Sequence, residues 1–460
     1  MRKKAVRQLP LNFAGTQKLT QDWYSLYRNI HEILEENSAI TDLVHADLTL
    51  GQKKLKRNVE GFASECILRL AVVQQIEELS FREVVVRVDD SQMLRFFCRF
   101  YDDSVISHSK YATLVNMIEP KTWEKINEIL VHFARDKRGF KGNKLRLDTT
   151  AVEADIHYPT DSSLLCDSIR VLSRLCDHVK KIDVSLTGNR RSRTRNARRL
   201  AQKIARGGRT LHKATRKRWY GMLIGATERT MDRARNIRAK ILAGQSTVIN
   251  PLDRLQLEGL AEEIAHYLPL AEKCVYQARE RVINENQVPN EQKLFSIFET
   301  HTELLKRGKA GKDVEFGHMI ELEQIEGGLI THYATYAKRP PEAPLLVEGI
   351  KRHIETFRQA PKVCATDKGY YSAECVKQAR DLGAGVCVGK KGRRNEEEEK
   401  HEKSRWFKLG QAFRSGLEGT ISVLKRVFGL RRCLREGFQR FESWVGTGVF
   451  AHNLVLLARP

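Results

Sequence analysis

The sequence predicts a mixed α/β protein whose sheet is split by a large helical insertion and preceded by an N-terminal helical domain. Three observations predict it. Apolar residues keep near-helical spacing through residues 60–135, a short alternating β-branched segment follows at 145–152, and strand signals return only after a helical stretch from about 161 to 299. The order strand, helical interruption, two strands, helix, strand, helix, strand, helix describes one interrupted sheet.

A chain of 460 residues suggests roughly three domains. With 41% apolar residues and 11 prolines it has the makeup of a folded protein rather than a disordered or fibrous one. Its 80 Lys+Arg against 57 Asp+Glu give a net charge of +23, which favours polyanionic partners. Nine scattered cysteines without a CxxC pair resemble neither a disulfide framework nor a zinc site, so a reducing cytoplasm is expected. The basic start, MRKKAVRQLPLNFAG, has an apolar run too short for a secretory signal. The longest apolar stretch, 444–458, carries His452 and Asn453 and is about 15 residues long, too short and polar to span a bilayer.

In order, residues 1–45 form an N-terminal segment and 46–135 a helical domain for DNA binding or dimerisation. Phe62, Ile67, Leu70, Val73 and Ile76 lie on one helix, and Ser80 with Glu83 has the form of a capping box. The later part is compatible with a helix-turn-helix whose last helix is 107–119, with plain bundle packing or dimerisation favoured over specific DNA reading. Residues 136–160 carry the first strand, and 161–299 the insertion. Within it, 190–218 contains 13 Lys/Arg and no acid. Arg190, Arg191, Arg193, Arg195, Arg198, Arg199, Lys203, Arg206, Arg209, Lys213, Arg216, Lys217 and Arg218 repel one another unless an anion lies nearby. A phosphate-backbone contact is favoured over a solvated helix face. Residues 300–460 supply the rest of the sheet and the C-terminal helices, with strands at 314–324, 328–336, 362–367 and up to Gly389. KKGRRNEEEEKHEKSR is read as a charged, solvated loop.

Three acids stand at informative places: Asp148 and Asp367 at strand ends, and Glu418 inside a helix. Each alone would pass for a turn cap or a surface charge. Clustered, they would need a cation, and an all-oxygen ligand set suits Mg²⁺ or Mn²⁺. At about 100° per residue, Arg414, Glu418 and Lys425 share a narrow arc beside an apolar stripe of Phe413, Leu417, Ile421, Leu424 and Phe428. Glu418 is thus either one partner of a surface ion pair or a metal ligand flanked by phosphate-binding cations.

The blocks LRLDTTAVEADIHYPTDSSLL, KVCATDKGYYS and FRSGLEGTISVLKRVFGLRRC resemble the three signature blocks of bacterial insertion-sequence DDE transposases, close to the ISNCY-type group. The resemblance extends from the SFREV segment to the C-terminal helices, and SIFETHTELLKRGKAGKDVEFGH is similar too. The family's last signature is Tyr-(2)-Arg-(3)-Glu-(6)-Lys; Arg414, Glu418 and Lys425 match it in spacing, while Gln411 stands in the tyrosine's place. The resemblance implies an RNase H-like catalytic core in which Asp148, Asp367 and Glu418 hold two Mg²⁺ ions, with Mn²⁺ able to substitute. It also implies DNA strand cleavage and strand transfer at element ends. The partners implied are double-stranded DNA, both element ends and target, and a second copy of the chain or a higher oligomer, with no membrane and a cytoplasmic, nucleoid-associated setting. An RNase H-fold nuclease without joining activity and a catalytically retired DNA-binding protein are the alternatives.

Overall fold

The computed structural model describes residues 17–50, 61–188, 193–309 and 312–459. The chain divides into two compact units, one of residues 1–155 with 307–460, the other of 156–306.

The first unit begins with helices α1 (Lys18–Glu36), α2 (Ala39–Thr49), α3 (Ser64–Ile76), α4 (Phe81–Asp90), α5 (Gln92–Phe97), α6 (His108–Val115) and α7 (Pro120–Lys137). The Ser80–Glu83 capping box is present at the start of α4. The helix expected over 107–119 stops at Val115, and Glu119, the residue before Pro120, is extended at ψ 152° and leads into α7. Tyr111, Leu114 and Val115 of α6 are buried in the same core as the sheet.

Strand β1 (Lys144–Glu153) is the centre of a mixed sheet. The second unit then intervenes with α8 (Asp161–Ile182), α9 (Val184–Thr187), α10 (Thr194–Gly207), α11 (Lys213–Leu242) and α12 (Pro251–Ala278). Leu165, Leu172, Leu223, Ile237 and Ile264 are among the side chains of its separate core. Strands β2 (Glu303–Lys309), β3 (Lys312–Ile325) and β4 (Ile330–Tyr336) follow, then α13 (Glu342–Phe357), β5 (Val363–Thr366), α14 (Ala373–Asp381), β6 (Val386–Val388), α15 (Glu396–Lys403), α16 (Arg405–Val427) and α17 (Phe438–Ala458).

The sheet order is β2-β3-β1-β5-β6, with β4 also on β3. β1 runs antiparallel to β3 and parallel to β5, which is parallel to β6. Side chains of β1 alternate between faces. Leu147 and Thr149 face α13, where a Cβ on Gly349 would stand 2.4 Å from Leu147 Cδ2. Arg146 and Asp148 face α16, where Arg146 donates to the Phe413 carbonyl.

Two sequence readings change. Strand β2 lies in a segment that carried no strand expectation. The charged loop contains α15, because Asn395 and Glu398 form a capping box and the run places four glutamates in the first turn and Lys400, His401 and Lys403 in the last. Acids first and bases last complement the helix dipole.

The apolar C-terminal run is α17, buried on nearly every side, as expected of a helix that is apolar all round. Its polar residue Asn453 bonds both the N–H and the carbonyl of Ile330 at the start of β4, and the Asn127 side chain of α7. No helix among the described residues is long and apolar enough to cross a membrane. Gly446 marks the closest approach: a Cβ there would lie 2.5 Å from Tyr333 Oη and 2.6 Å from Trp123 Cβ. Gly446→Ala is therefore expected to lower stability by about 1–3 kcal/mol despite its better helix propensity; chemical denaturation with an unchanged midpoint would show that the packing relaxes around it.

Candidate active site and basic surface

Asp148, expected at a strand end, sits in the middle of β1, because the strand continues through Thr149–Glu153 paired with β3; Asp367 directly follows β5, and Glu418 lies on α16 over the Asp148 face of the sheet. They are 219 and 51 residues apart in sequence. Folding brings them together: burial, together with the charges of Asp367 and Glu418, pushes the Asp148 carboxyl up to about 6, against the opposing effects of the Thr149 N–H and Arg414.

The position of Glu418 depends on how α16 is seated. Arg146 reaches from β1 to the Phe413 carbonyl and Gln324 Oε1, and its guanidinium stacks on the Phe413 ring at 4.6 Å. A Cβ on Gly416 would stand 2.2 Å from Arg146 Nη1, so only glycine admits this approach. Gln411 donates to the carbonyls of Thr366 and Cys387, at 3.2 and 2.8 Å, and so ties α16 to the ends of β5 and β6 beside Asp367. Its Oε1 accepts from Arg414 Nε at 3.2 Å, while Arg414 Nη1 meets Glu418 Oε1 at 3.3 Å. Gln411 is thus a clamp that also orients Arg414.

Glu418 is 63% exposed and its i,i+4 pair with Arg414 is worth only a few tenths of a kcal/mol, so the pair can exchange with other ligands. Lys425 lies two turns further along α16 and is half-buried. Asp367 Oδ1 accepts the Gly369 N–H at 2.7 Å and caps the short turn Lys368–Tyr370. Three carboxylates supply only oxygen donors, which fits Mg²⁺ or Mn²⁺. Among the described residues no three His, Cys, Asp or Glu side chains already converge at metal-binding distance. The capping bond of Asp367 and the Arg414 pair of Glu418 hold two of the three acids in other contacts.

Neighbouring acids have structural partners. Glu153 meets Arg432 at 3.1 Å, and buried Asp161 is held by Arg281 and Gln277. His157 pairs with Asp167 at 3.4 Å. All nine cysteines are free.

In the second unit, α10 exposes Arg195, Arg198, Arg199, Lys203 and Arg206, preceded by exposed Arg193. Arg218 on α11 is also exposed. Arg190 and Arg191 lie outside the described residues, as does the side chain of Arg209. The expectation that all thirteen cations lack a counter-charge is corrected: Lys213 and Lys217 both pair with Glu285, at 2.7 and 2.6 Å. Glu285 lies well beyond the basic run in sequence, so the run alone could not show it. Arg216 donates to the Gly208 carbonyl. Among the described residues, Arg195, Arg198, Arg199, Arg206 and Arg218 have no ion pair. Tyr220 is buried in this unit's core and Trp219 packs partly against it, under Lys203.

Residues 326–454 match the family model of the transposase DDE domain. The matched span contains Asp367, Gln411, Arg414, Glu418 and Lys425, and excludes Asp148 and the helical insertion. It supports a DDE transposase. No curated protein and no solved structure matches the chain.

The raised carboxyl of Asp148 has a consequence for stability. The folded state holds this proton up to about pH 6, whereas the unfolded chain releases it near its ordinary value of 3.8. Stability contributed by the protonated form is therefore present at low pH and lost as pH rises through 6. In metal-free protein, Asp148→Asn should gain on the order of 2–3 kcal/mol at pH 7 and almost nothing at pH 4. Equal melting shifts at both pH values would show that Asp148 is not charged against its surroundings.

Proposed function

We propose that the protein is a DNA transposase that binds the ends of an insertion element and catalyses metal-dependent strand cleavage and strand transfer. One observation carries the reading: acids distant in sequence lie near one another on the α16 face of β1, where burial first, and then the charges of Asp367 and Glu418, raise the Asp148 carboxyl. The transposase DDE domain match over 326–454 supports it. The proposed core is RNase H-like, with the first acid on a central strand, the second after a neighbouring parallel strand and the third on a helix across that face. The ISNCY-type grouping rests on the three sequence blocks.

Asp148, Asp367 and Glu418 would hold two Mg²⁺ or Mn²⁺ ions, which when bound supply charge stabilisation to the attacking and leaving oxygens of an in-line displacement at phosphorus. Arg414 balances Glu418 before loading and is placed to face a phosphate once Glu418 turns to a cation. Gln411 keeps both residues over the ends of β5 and β6. The exposed arginines of α10 bind DNA phosphates, and synapsis of two ends calls for at least two protomers.

The test is the Mg²⁺- or Mn²⁺-dependent reaction of purified protein with DNA spanning the ends of its own coding element, resolving nicked from joined products. Wild type should yield joined products and Glu418→Gln neither nicks nor joins while retaining binding. Joining by the variant would remove Glu418 from the site, and cleavage without joining by wild type would make the protein a nuclease. For the basic helix, neutralising Arg195, Arg198, Arg199 and Arg206 should flatten the dependence of log affinity on log salt by about three to four units. An unchanged slope would leave α10 a solvated face.

A further inference from the structure

The pocket at Asp367 extends past the three acids legible in the sequence. A Cβ on Gly369 would stand 2.0 Å from Glu342 Oε2 and 2.7 Å from Asp367 Oδ1, so glycine is what lets these two carboxylates face each other. Their oxygens are at most about 5 Å apart, and two ligands of one Mg²⁺ at about 2.1 Å can stand about 4 Å apart. Glu342 is the first residue of α13. Its Oε1 accepts from Thr149 Oγ1, the neighbour of Asp148 on β1, at 3.4 Å and meets Arg339 Nη2 at 2.6 Å. The Glu342 side chain is largely buried, while that of Arg339 is half in solvent.

A second observation concerns the same neighbourhood. Tyr370, next to Gly369, is fully buried and its hydroxyl has no hydrogen-bond partner; burial first, and then the charges of Glu321, Asp148, Glu342 and Asp367, push it up. A cavity of about 310 Å³ at the start of α13 is lined by Arg339, Glu342, Gly369, Tyr371 and Lys391 among others.

Resting on the cation site of the functional reading, the geometry points to Glu342 as a fourth carboxylate of that site, with Arg339 as the counter-ion that holds it until a divalent cation binds. The doubly charged ion outcompetes a half-solvated guanidinium for an oxygen that already faces Asp367. Gly369 is required because any side chain would fill the space between the two ligands.

The experiment is direct Mn²⁺ binding to the full chain at neutral pH, by calorimetry or the loss of the free-ion resonance, with circular dichroism confirming the fold of each variant. Glu342→Gln should weaken binding by about tenfold or more, and Glu342→Asp, which keeps the charge, should recover part of the loss. Arg339→Ala should bind as tightly as wild type or more tightly, because a competitor is gone; weaker binding would overturn the counter-ion role. If Glu342→Gln binds like wild type while Asp148→Asn is impaired, Glu342 is only a structural partner of Arg339 and Thr149, and the inference fails with the cation site intact. If wild type and Asp148→Asn bind alike, the cation site itself fails, and the inference with it.

Discussion

The seating of α16 on the sheet is the constraint on which the candidate site depends. Arg146 comes up from β1 and is buried against Phe413 and Gln324, which costs desolvation and holds its pKa down at about 10. That cost is offset because the guanidinium bonds the Phe413 carbonyl and stacks on its ring, and because Gly416 lets the helix come close enough for both. Gln411 adds two bonds to strand-end carbonyls. The helix therefore cannot slide along the sheet without breaking buried polar contacts, and Glu418 stays over Asp148.

The opposite face is built with the same economy of space. α13 packs at Gly349 against Leu147 and Glu323, and Arg352 from that helix meets the buried Glu323 carboxyl, which burial raises and Arg352 opposes. Behind the sheet end, Tyr336 donates to Glu321 at 2.6 Å. Beneath β1, Glu321 and Glu323 share Arg352 as their counter-charge, and above it Asp148, Asp367 and Glu418 stand near Arg414, so clustered carboxylates around one guanidinium occur on both faces of the strand.

Much of the fold was legible. Alternation located β1, strand signals located β3 and β4, and the Ser80–Glu83 signal marks a real helix start. Strand β2 was missed because a basic run interrupted by glycine lacks the apolar alternation that marks a strand. α15 was missed because a block of identical charges hid the Asn395 cap. The helix expected at 107–119 was too long: it stops at Val115, and Glu119 before Pro120 is extended. At the site, Asp148, Asp367 and Glu418 could be selected from their positions on elements and from family resemblance. Glu342 could not be, since an acid in the first turn of a helix is an ordinary dipole partner and only Gly369 and Thr149 bring it to the others.

The sequence by itself determined most of the strands and helices, that Asp367 follows a strand, and that cations concentrate on one helical segment. These follow from period, caps and charge counts, all local properties. Only the tertiary structure decided that Asp148 bears the charges of Asp367 and Glu418, that Glu285 neutralises Lys213 and Lys217, and that Gln411 is a clamp. Electrostatic energy depends on distances through space, and a chain that returns to the same strand after hundreds of residues sets those distances by packing, not by spacing along the sequence.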